Sequence, residues 1–302
     1  MSKLIDTKRC GYVAFIGRPN VGKSTLLNRL IGQKLCITSR KPQTTRHRVL
    51  GIKTTGDTQF IFVDTPGVHV DNKHAMNRYM NRAAKTAIHD VDVVVFVIEA
   101  MGWTDDDDLV LERIKHTDAD VIIAINKVDR LAKKDALLPL LQQLSALDNI
   151  TDIIPLSAKS GDNTEVLEER LRSLLPEGDF FFDEEQITDR SMRFVAAELI
   201  REKLIRRLGK ELPYALTVEI EEYQTVDGVL HVGAVIWVER AGQKAIVIGK
   251  GGSMLKEIGK QSRQELEKML ETKVFVRLWV KVREGWSDDE RALRSLGYTD
   301  DM

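Results

Sequence analysis

The sequence predicts a doubly wound α/β domain followed by a smaller α+β domain. From residue 12 to about 175, short β-branched runs alternate with helical segments; past a break rich in Pro, Gly and acids, the order becomes α-β-β-α-α-β. Size agrees, because 302 residues exceed one ordinary hydrophobic core and suffice for two. The expected division is 1–178, a linker at 179–188, and 189–302 including a C-terminal tail. A net charge of −1 excludes a whole-molecule electrostatic case for nucleic acid or membrane, so any such partner must be met by a local patch. Cys10 and Cys36 lack metal-ligand spacing and are expected as reduced thiols. The N-terminus has no apolar signal region and no apolar run approaches the ~20 residues of a membrane span, so a cytoplasmic protein is expected.

Taken in order, the first strand is the apolar run Tyr12-Val13-Ala14-Phe15-Ile16, and Ser24-Thr25-Leu26-Leu27 opens a helix. Between them stands Gly17-Arg18-Pro19-Asn20-Val21-Gly22-Lys23-Ser24, the G-x-x-x-x-G-K-S pattern of a phosphate-binding loop in its required strand-loop-helix context. Two glycines let successive N–H groups turn inward on phosphate oxygens, and the helix N-terminus adds partial positive charge. Contacts to the nucleotide are therefore expected from Gly17, Asn20, Val21, Gly22, Lys23, Ser24 and Thr25, with Lys23 on the terminal phosphates and Ser24 on magnesium. A long polar stretch follows, containing Lys41-Pro42-Gln43-Thr44-Thr45-Arg46; a threonine here can complete the magnesium shell, and Thr45 is favoured over Thr44. The strand at 60–63 ends in Asp64-Thr65-Pro66-Gly67, where a carboxylate can hold a magnesium-bound water and the Gly67 N–H can meet a γ-phosphate. Residues 68–82, with His69 and His74, form a candidate switch.

The runs at 91–98 and 121–125 are nearly continuous apolar strands, as buried parallel strands should be. The acids Asp105, Asp106, Asp107 and Asp108 between them suit the positive end of a helix better than a metal site. Directly after residue 125 comes Asn126-Lys127-Val128-Asp129, at the carboxyl edge of the sheet where a base would lie. An ionised Asp129 can accept from both N1–H and the exocyclic amine of guanine, whereas adenine presents an acceptor at the first position and no donor at the second. A site built on that pairing rejects the wrong purine strongly. The Lys127 stem can lie along the purine and Asn126 can brace neighbouring loops. Ser157-Ala158-Lys159, after the short run at 153–156, can offer a backbone N–H to the base; a plain strand-to-helix turn capped by Ser157 is the alternative.

Residues 17–24, Thr45, 64–67, 126–129 and 157–159 together resemble the small GTPase motif set in its usual order. Gln43-Thr44-Thr45-Arg46-His47 and Asp64-Thr65-Pro66-Gly67 are similar to the bacterial TrmE–Era branch. Ile187-Thr188-Asp189-Arg190, Ile200-Arg201-Glu202-Lys203-Leu204, Glu211-Leu212-Pro213-Tyr214 and the tail from Gly285 to Tyr298 resemble the Era family pattern. The resemblance implies a P-loop GTPase domain followed by a type II KH domain, with GTP/GDP and Mg2+ as ligands and Lys23, Thr45 and Gly67 as the catalytic set. It further implies a monomeric factor for small ribosomal subunit (30S) assembly that binds ribosomal RNA near its 3′ end. It implies a protein of the cytoplasm, partly peripheral on the inner membrane. Where Ras-like proteins place a water-orienting glutamine, this chain has Val68, which cannot hydrogen-bond water, so slow unaided hydrolysis is expected.

In the second half a helix is expected at about 189–208, with Phe194, Val195, Leu199, Ile200 and Leu204 on one side and Arg201, Arg206 and Arg207 elsewhere. Strands follow at 214–223 and 229–238 around Asp227-Gly228, then a helix to about 270 and a last strand at 273–282. Gly249-Lys250-Gly251-Gly252 matches the G-x-x-G loop by which KH domains clamp a nucleic-acid backbone, although a lone match also fits a helix-capping turn. The RNA contacts are assigned to Ile248, Gly249, Lys250, Gly251, Gly252 and Lys256. Residues 240–283 carry eleven Lys or Arg against four Glu, a local excess suited to phosphate.

Overall fold

A computed structural model describes residues 7–39, 41, 44–66, 74–209 and 212–298. The chain forms two compact units, one of Met1–Cys36, Thr45–Val70 and Met80–Asp189, the other of Ile37–Thr44, Asp71–Tyr79 and Arg190–Met302. This division is not linear in sequence. The described residues of Ile37–Thr44 and Asp71–Tyr79 group with the second unit, which a split at 178–189 does not foresee.

The first unit runs β1 (Arg9–Ile16), α1 (Lys23–Ile31), β2 (Val49–Thr55), β3 (Thr58–Asp64), α2 (Ala75–His89), β4 (Val93–Glu99), α3 (Asp105–Ile114), β5 (Asp120–Asn126), α4 (Leu138–Leu144), β6 (Asp152–Pro155) and α5 (Thr164–Leu174), the N-terminal turns of α2 belonging to the second unit. Its sheet has the order β2-β3-β1-β4-β5-β6. All neighbours are parallel except β2 and β3, which form an antiparallel edge hairpin closed by the turn at Gly56 and Asp57. β2 is not among the runs named from the sequence, because its apolar residues are interleaved with Gly51, Lys53 and Thr54 as suits an edge strand. β3 and β4 are buried along almost their whole length, which explains their unbroken apolar runs. Crossover topology brings the carboxyl ends of β1, β3, β5 and β6 to one edge, where Gly17, Asp64, Asn126 and Ser157 stand. The four acids open α3, and Asp107 accepts from the Thr104 N–H at 3.0 Å and hydroxyl at 2.8 Å.

Residues 179–188 are fastened to this unit rather than strung out. The Gln59 carboxamide accepts from the Phe181 and Phe182 N–H groups, both at 3.0 Å, and donates to the Phe182 carbonyl at 2.9 Å. Gly51 bridges Thr188, and the Ile52 N–H donates to the Ile187 carbonyl at 2.9 Å.

The second unit contains α6 (Met192–Arg207), β7 (Leu216–Val226), β8 (Val229–Val238), α7 (Ala241–Ile248), α8 (Ser253–Leu270), β9 (Lys273–Val282) and α9 (Glu290–Ser295). The central strand β8 is antiparallel to β7 and parallel to β9. Leu199, Ile200 and Leu204 of α6, Leu266 of α8 and alternate residues of all three strands form one core. Ser191 caps α6 by accepting from the Phe194 N–H, which starts the helix three residues later than the periodicity predicts. The expected polar side of α6 is corrected too: Arg201, Glu202 and Lys203 are buried. They are satisfied inside the unit, with Glu202 accepting from the Thr38 N–H at 2.8 Å, Arg201 paired to Glu198 and donating to the Thr44 carbonyl, and Lys203 paired to Glu265.

Candidate nucleotide site and nucleic-acid interface

The loop after β1 can take its shape only with glycine at its two ends. Gly17 has φ 153° and a Cβ there would lie 2.3 Å from the Val97 carbonyl oxygen; Gly22 has φ 107° and a Cβ would lie 2.3 Å from Asn126 Nδ2. Lys23, at the start of α1, is buried and donates to the Gly17 carbonyl at 2.8 Å and the Arg18 carbonyl at 3.0 Å. Burial lowers its pKa to about 8, with the Asp64 carboxylate opposing and Arg18 reinforcing that shift. Its ammonium therefore stands at the mouth of a loop whose backbone is set for phosphate. Thr25, in the first turn of α1, is half-buried.

Three oxygens converge beside it. Ser24 Oγ donates to Asp64 Oδ2 at 2.9 Å, Thr45 Oγ1 donates to the same oxygen at 3.1 Å, and the two hydroxyls lie 3.0 Å apart. Thr44 is turned elsewhere, its hydroxyl donating to the Lys41 carbonyl at 2.7 Å. Asp64 is fully buried and burial pushes its carboxyl above the usual range, against the pull of Lys23 and of hydrogen bonds from Cys36, Ser24 and Thr45. Its Oδ1 has no hydrogen-bond partner among the described residues. An unsatisfied buried carboxylate oxygen next to two hydroxyls fits a hard divalent cation with its water shell. Gly67 and Val68, the remaining sequence candidates at this end, lie outside the described residues.

The base side is held by Asn126. Its Nδ2 donates to the Val21 carbonyl at 2.8 Å, while Oδ1 accepts from the Lys127 N–H at 2.7 Å and the Ala158 N–H at 2.9 Å, so one buried amide ties three loops together. Lys127 sits in the left-handed region at φ 68°, donates to the Asn20 carbonyl at 2.6 Å and pairs with Glu99. Ser157 Oγ donates to Asp129 Oδ1 at 2.7 Å and accepts from the Ser160 N–H at 3.2 Å, which orients the carboxylate and leaves Oδ2 open. Lys159 is placed through its backbone, its carbonyl accepting from Arg29 at 2.6 Å. Two contributors were not among the sequence candidates. Glu99 also pairs with Arg18 at 3.7 Å, and its signal was an acid ending an otherwise apolar strand; Asn28 fastens the chain after α1 by accepting from the Leu35 and Cys36 N–H groups at 2.9 and 2.8 Å.

In the second unit the G-x-x-G residues form a short turn between α7 and α8. Gly249 adopts φ 74°, ψ 171°, a conformation open essentially to glycine alone, and a Cβ there would lie 2.7 Å from Met254 Cβ. Gly251 and Gly252 are left-handed at φ 58° and 78° with open space around them. Lys250 and Lys256 are exposed, Ile248 packs half-buried against the core, and the turn itself has no side chain bulkier than Lys250 to keep a backbone away.

The fold and this set of contacts define a P-loop GTPase joined to a KH-type unit. Residues 12–127 match the model of the family described as 50S ribosome-binding GTPase, and residues 211–287 match the KH domain model. The chain is 59% identical over 292 residues to GTPase Era of Pseudomonas putida, covering 97% of each chain, and 58% identical over 295 residues to GTPase Era of Azotobacter vinelandii, covering 98% of each. It is similar, with TM-score 0.94 and 40% identity over 97% of this chain and 99% of the other, to a crystal structure of Era in complex with MgGDPNP and nucleotides 1506–1542 of 16S ribosomal RNA. An Aquifex aeolicus Era variant bound to GDP·AlF4− superposes with TM-score 0.93 at 40% identity, covering 96% and 99%. The chain belongs to the Era family of GTPases.

Proposed function

We propose that this GTPase is a slow switch whose GTP-bound form holds ribosomal RNA near the 3′ end of the small subunit and assists 30S assembly. The observation that carries the reading is the presence on one chain of a guanine-reading carboxylate, Asp129 fixed by Ser157, and a glycine-only turn at Gly249 with exposed lysines beside it. Support comes from the Era structure that contains both MgGDPNP and a 16S ribosomal RNA segment.

In this reading Asp129 accepts from guanine, Lys127 lies along the purine, and the Ser157-Ala158-Lys159 turn offers a backbone N–H near the base. The loop N–H groups of residues 20–25 and Lys23 take the phosphates, Lys23 exchanging its loop carbonyls for phosphate oxygens. Ser24, Thr45 and Asp64 would hold magnesium, which when bound neutralises charge across the β- and γ-phosphates. Lys23 stabilises charge that develops on the leaving phosphate, Thr45 keeps the γ-phosphate end closed, and Gly67 donates its N–H there. No side chain at Val68 can orient the attacking water, so the reaction waits on backbone donors or on a group from a partner.

The proposal places the protein in the cytoplasm as a monomer. Among the described residues no helix is long and apolar enough to cross a membrane, and peripheral contact with the inner membrane through α6 would use Arg193, Arg206 and Arg207, which are exposed, and not Arg201, which is buried. Filter binding with a GTP analogue tests the reading. The parent chain should retain single-stranded ribosomal RNA that the Lys250→Glu form releases; equal retention would sink it.

A further inference from the structure

The sheet of the second unit has a second face. Val274, Val276, Leu278 and Val280 of β9 point into the core shared with α6, α7 and α8, so Lys273, Phe275, Arg277, Trp279 and Lys281 line the opposite side. Along β9 that side carries cations and aromatics in strict alternation and no acid. Phe275 is 43% exposed and Trp279 39%, large apolar surfaces at the β9 side of the sheet; the β7 end of the same face is covered, with Thr217 buried and hydrogen-bonded to Tyr298 at 2.8 Å. Arg277 lies between them, its guanidinium 5.4 Å from the Phe275 ring centre and 5.6 Å from that of Trp279, and it has no carboxylate partner among the described residues. His231 on β8 packs against Phe275 at 5.2 Å, and Lys281 lies 5.5 Å from the Trp237 ring. Gly233 makes the platform possible, since a Cβ there would lie 3.2 Å from the Trp279 ring and 2.9 Å from Glu222 Cβ.

The geometry points to this face as a second nucleic-acid surface, a stacking platform for single-stranded RNA distinct from the Gly249 turn. Same-face residues recur about every 6.6 Å along a strand, which gives each extended nucleotide its own ring or guanidinium plane. Aromatic and arginine planes on a sheet receive bases irrespective of sequence, and the flanking lysines meet phosphates. The acids of the face lie on the far strand β7, and each is engaged: Glu219 by Trp237 at 2.8 Å, Glu221 by Lys281 at 2.9 Å, and Glu222, which lies over Gly233, by Gln224 at 3.1 Å. The phosphate path therefore follows β9, from Lys273 towards Arg283. The inference rests on RNA being the partner of this unit, and adds a surface that extends the footprint beyond the four nucleotides a G-x-x-G turn clamps.

Fluorescence anisotropy of a labelled single-stranded RNA of about 12 nucleotides, with the full chain and a GTP analogue, tests it. The Phe275→Ala/Trp279→Ala form should lose at least about tenfold in affinity, and Arg277→Glu a comparable amount, while both hydrolyse GTP at the parent rate. Ultraviolet crosslinking should place RNA on the peptide containing residues 273–281. Affinity within twofold of the parent for both forms, with Lys250→Glu still defective, overturns the platform and leaves the Gly249 turn standing. Loss in the sheet variants with Lys250→Glu intact would instead overturn the Gly249 reading. If sedimentation shows that the variants abolish self-association and leave RNA affinity unchanged, the face belongs to a second copy of the chain and the proposal fails.

Discussion

Asp129 illustrates how much chemistry rests on one side chain. With Oδ1 held by Ser157 and Oδ2 open, its carboxylate is set, in the proposed reading, to accept from guanine. Asp129→Asn replaces one acceptor by a donor where guanine also donates, so competition binding should show preference moving from GTP towards XTP. Ser157→Ala removes only the brace and should weaken GTP by about 1 kcal/mol, roughly fivefold, in the same assay. Gly249→Ala combines a conformation costly for any L-residue with the clash on Met254, and should lower the stability of the second unit by about 1–3 kcal/mol in urea titration. The exposed Lys250→Ala form should melt like the parent, which separates the role of the backbone from that of the charge.

At the scale of elements, α6 and the segment Ile37–Thr44 act together. Lys41 donates to the Ile205 carbonyl at 2.5 Å and to the Leu208 carbonyl, satisfying the C-terminal end of the helix, while Arg206 reaches the Thr38 carbonyl at 3.0 Å. Truncating Glu202→Ala would leave the Thr38 N–H unpaired and a buried Lys203 with one acid fewer, a loss of about 3 kcal/mol expected in urea denaturation. None of this was legible in the sequence. Lys41 stood in a polar stretch and Arg201 on the polar side of the expected helix because Ile205 and Thr44, which they reach, lie more than 150 positions from them, and helical periodicity cannot distinguish a buried charge from an exposed one. The alternating strands, the phosphate loop and the guanine motif were legible, since each depends on near neighbours: apolar period, glycine placement, a polar residue closing a buried strand. Glu99 and Asn28 escaped notice because their roles depend on what the fold brings opposite them.

For the molecule as a whole, charge is unevenly spread: a chain of net −1 carries eleven basic residues and four acids between 240 and 283. RNA affinity should therefore fall steeply with salt despite the neutral total, and Lys250→Ala should reduce the slope of log affinity against log salt by about 1. Another consequence reaches the solvent through Lys23. Its ammonium titrates at about 8 because burial opposes the charge, and a triphosphate laid against it would favour the charge again. Capturing GTP at pH 8 should then draw about half a proton from the medium. Titration calorimetry in buffers of different ionisation heat would register that uptake, and affinity for GTP should decline as the solution becomes more alkaline. Nucleotide occupancy should then follow proton activity as well as the supply of GTP.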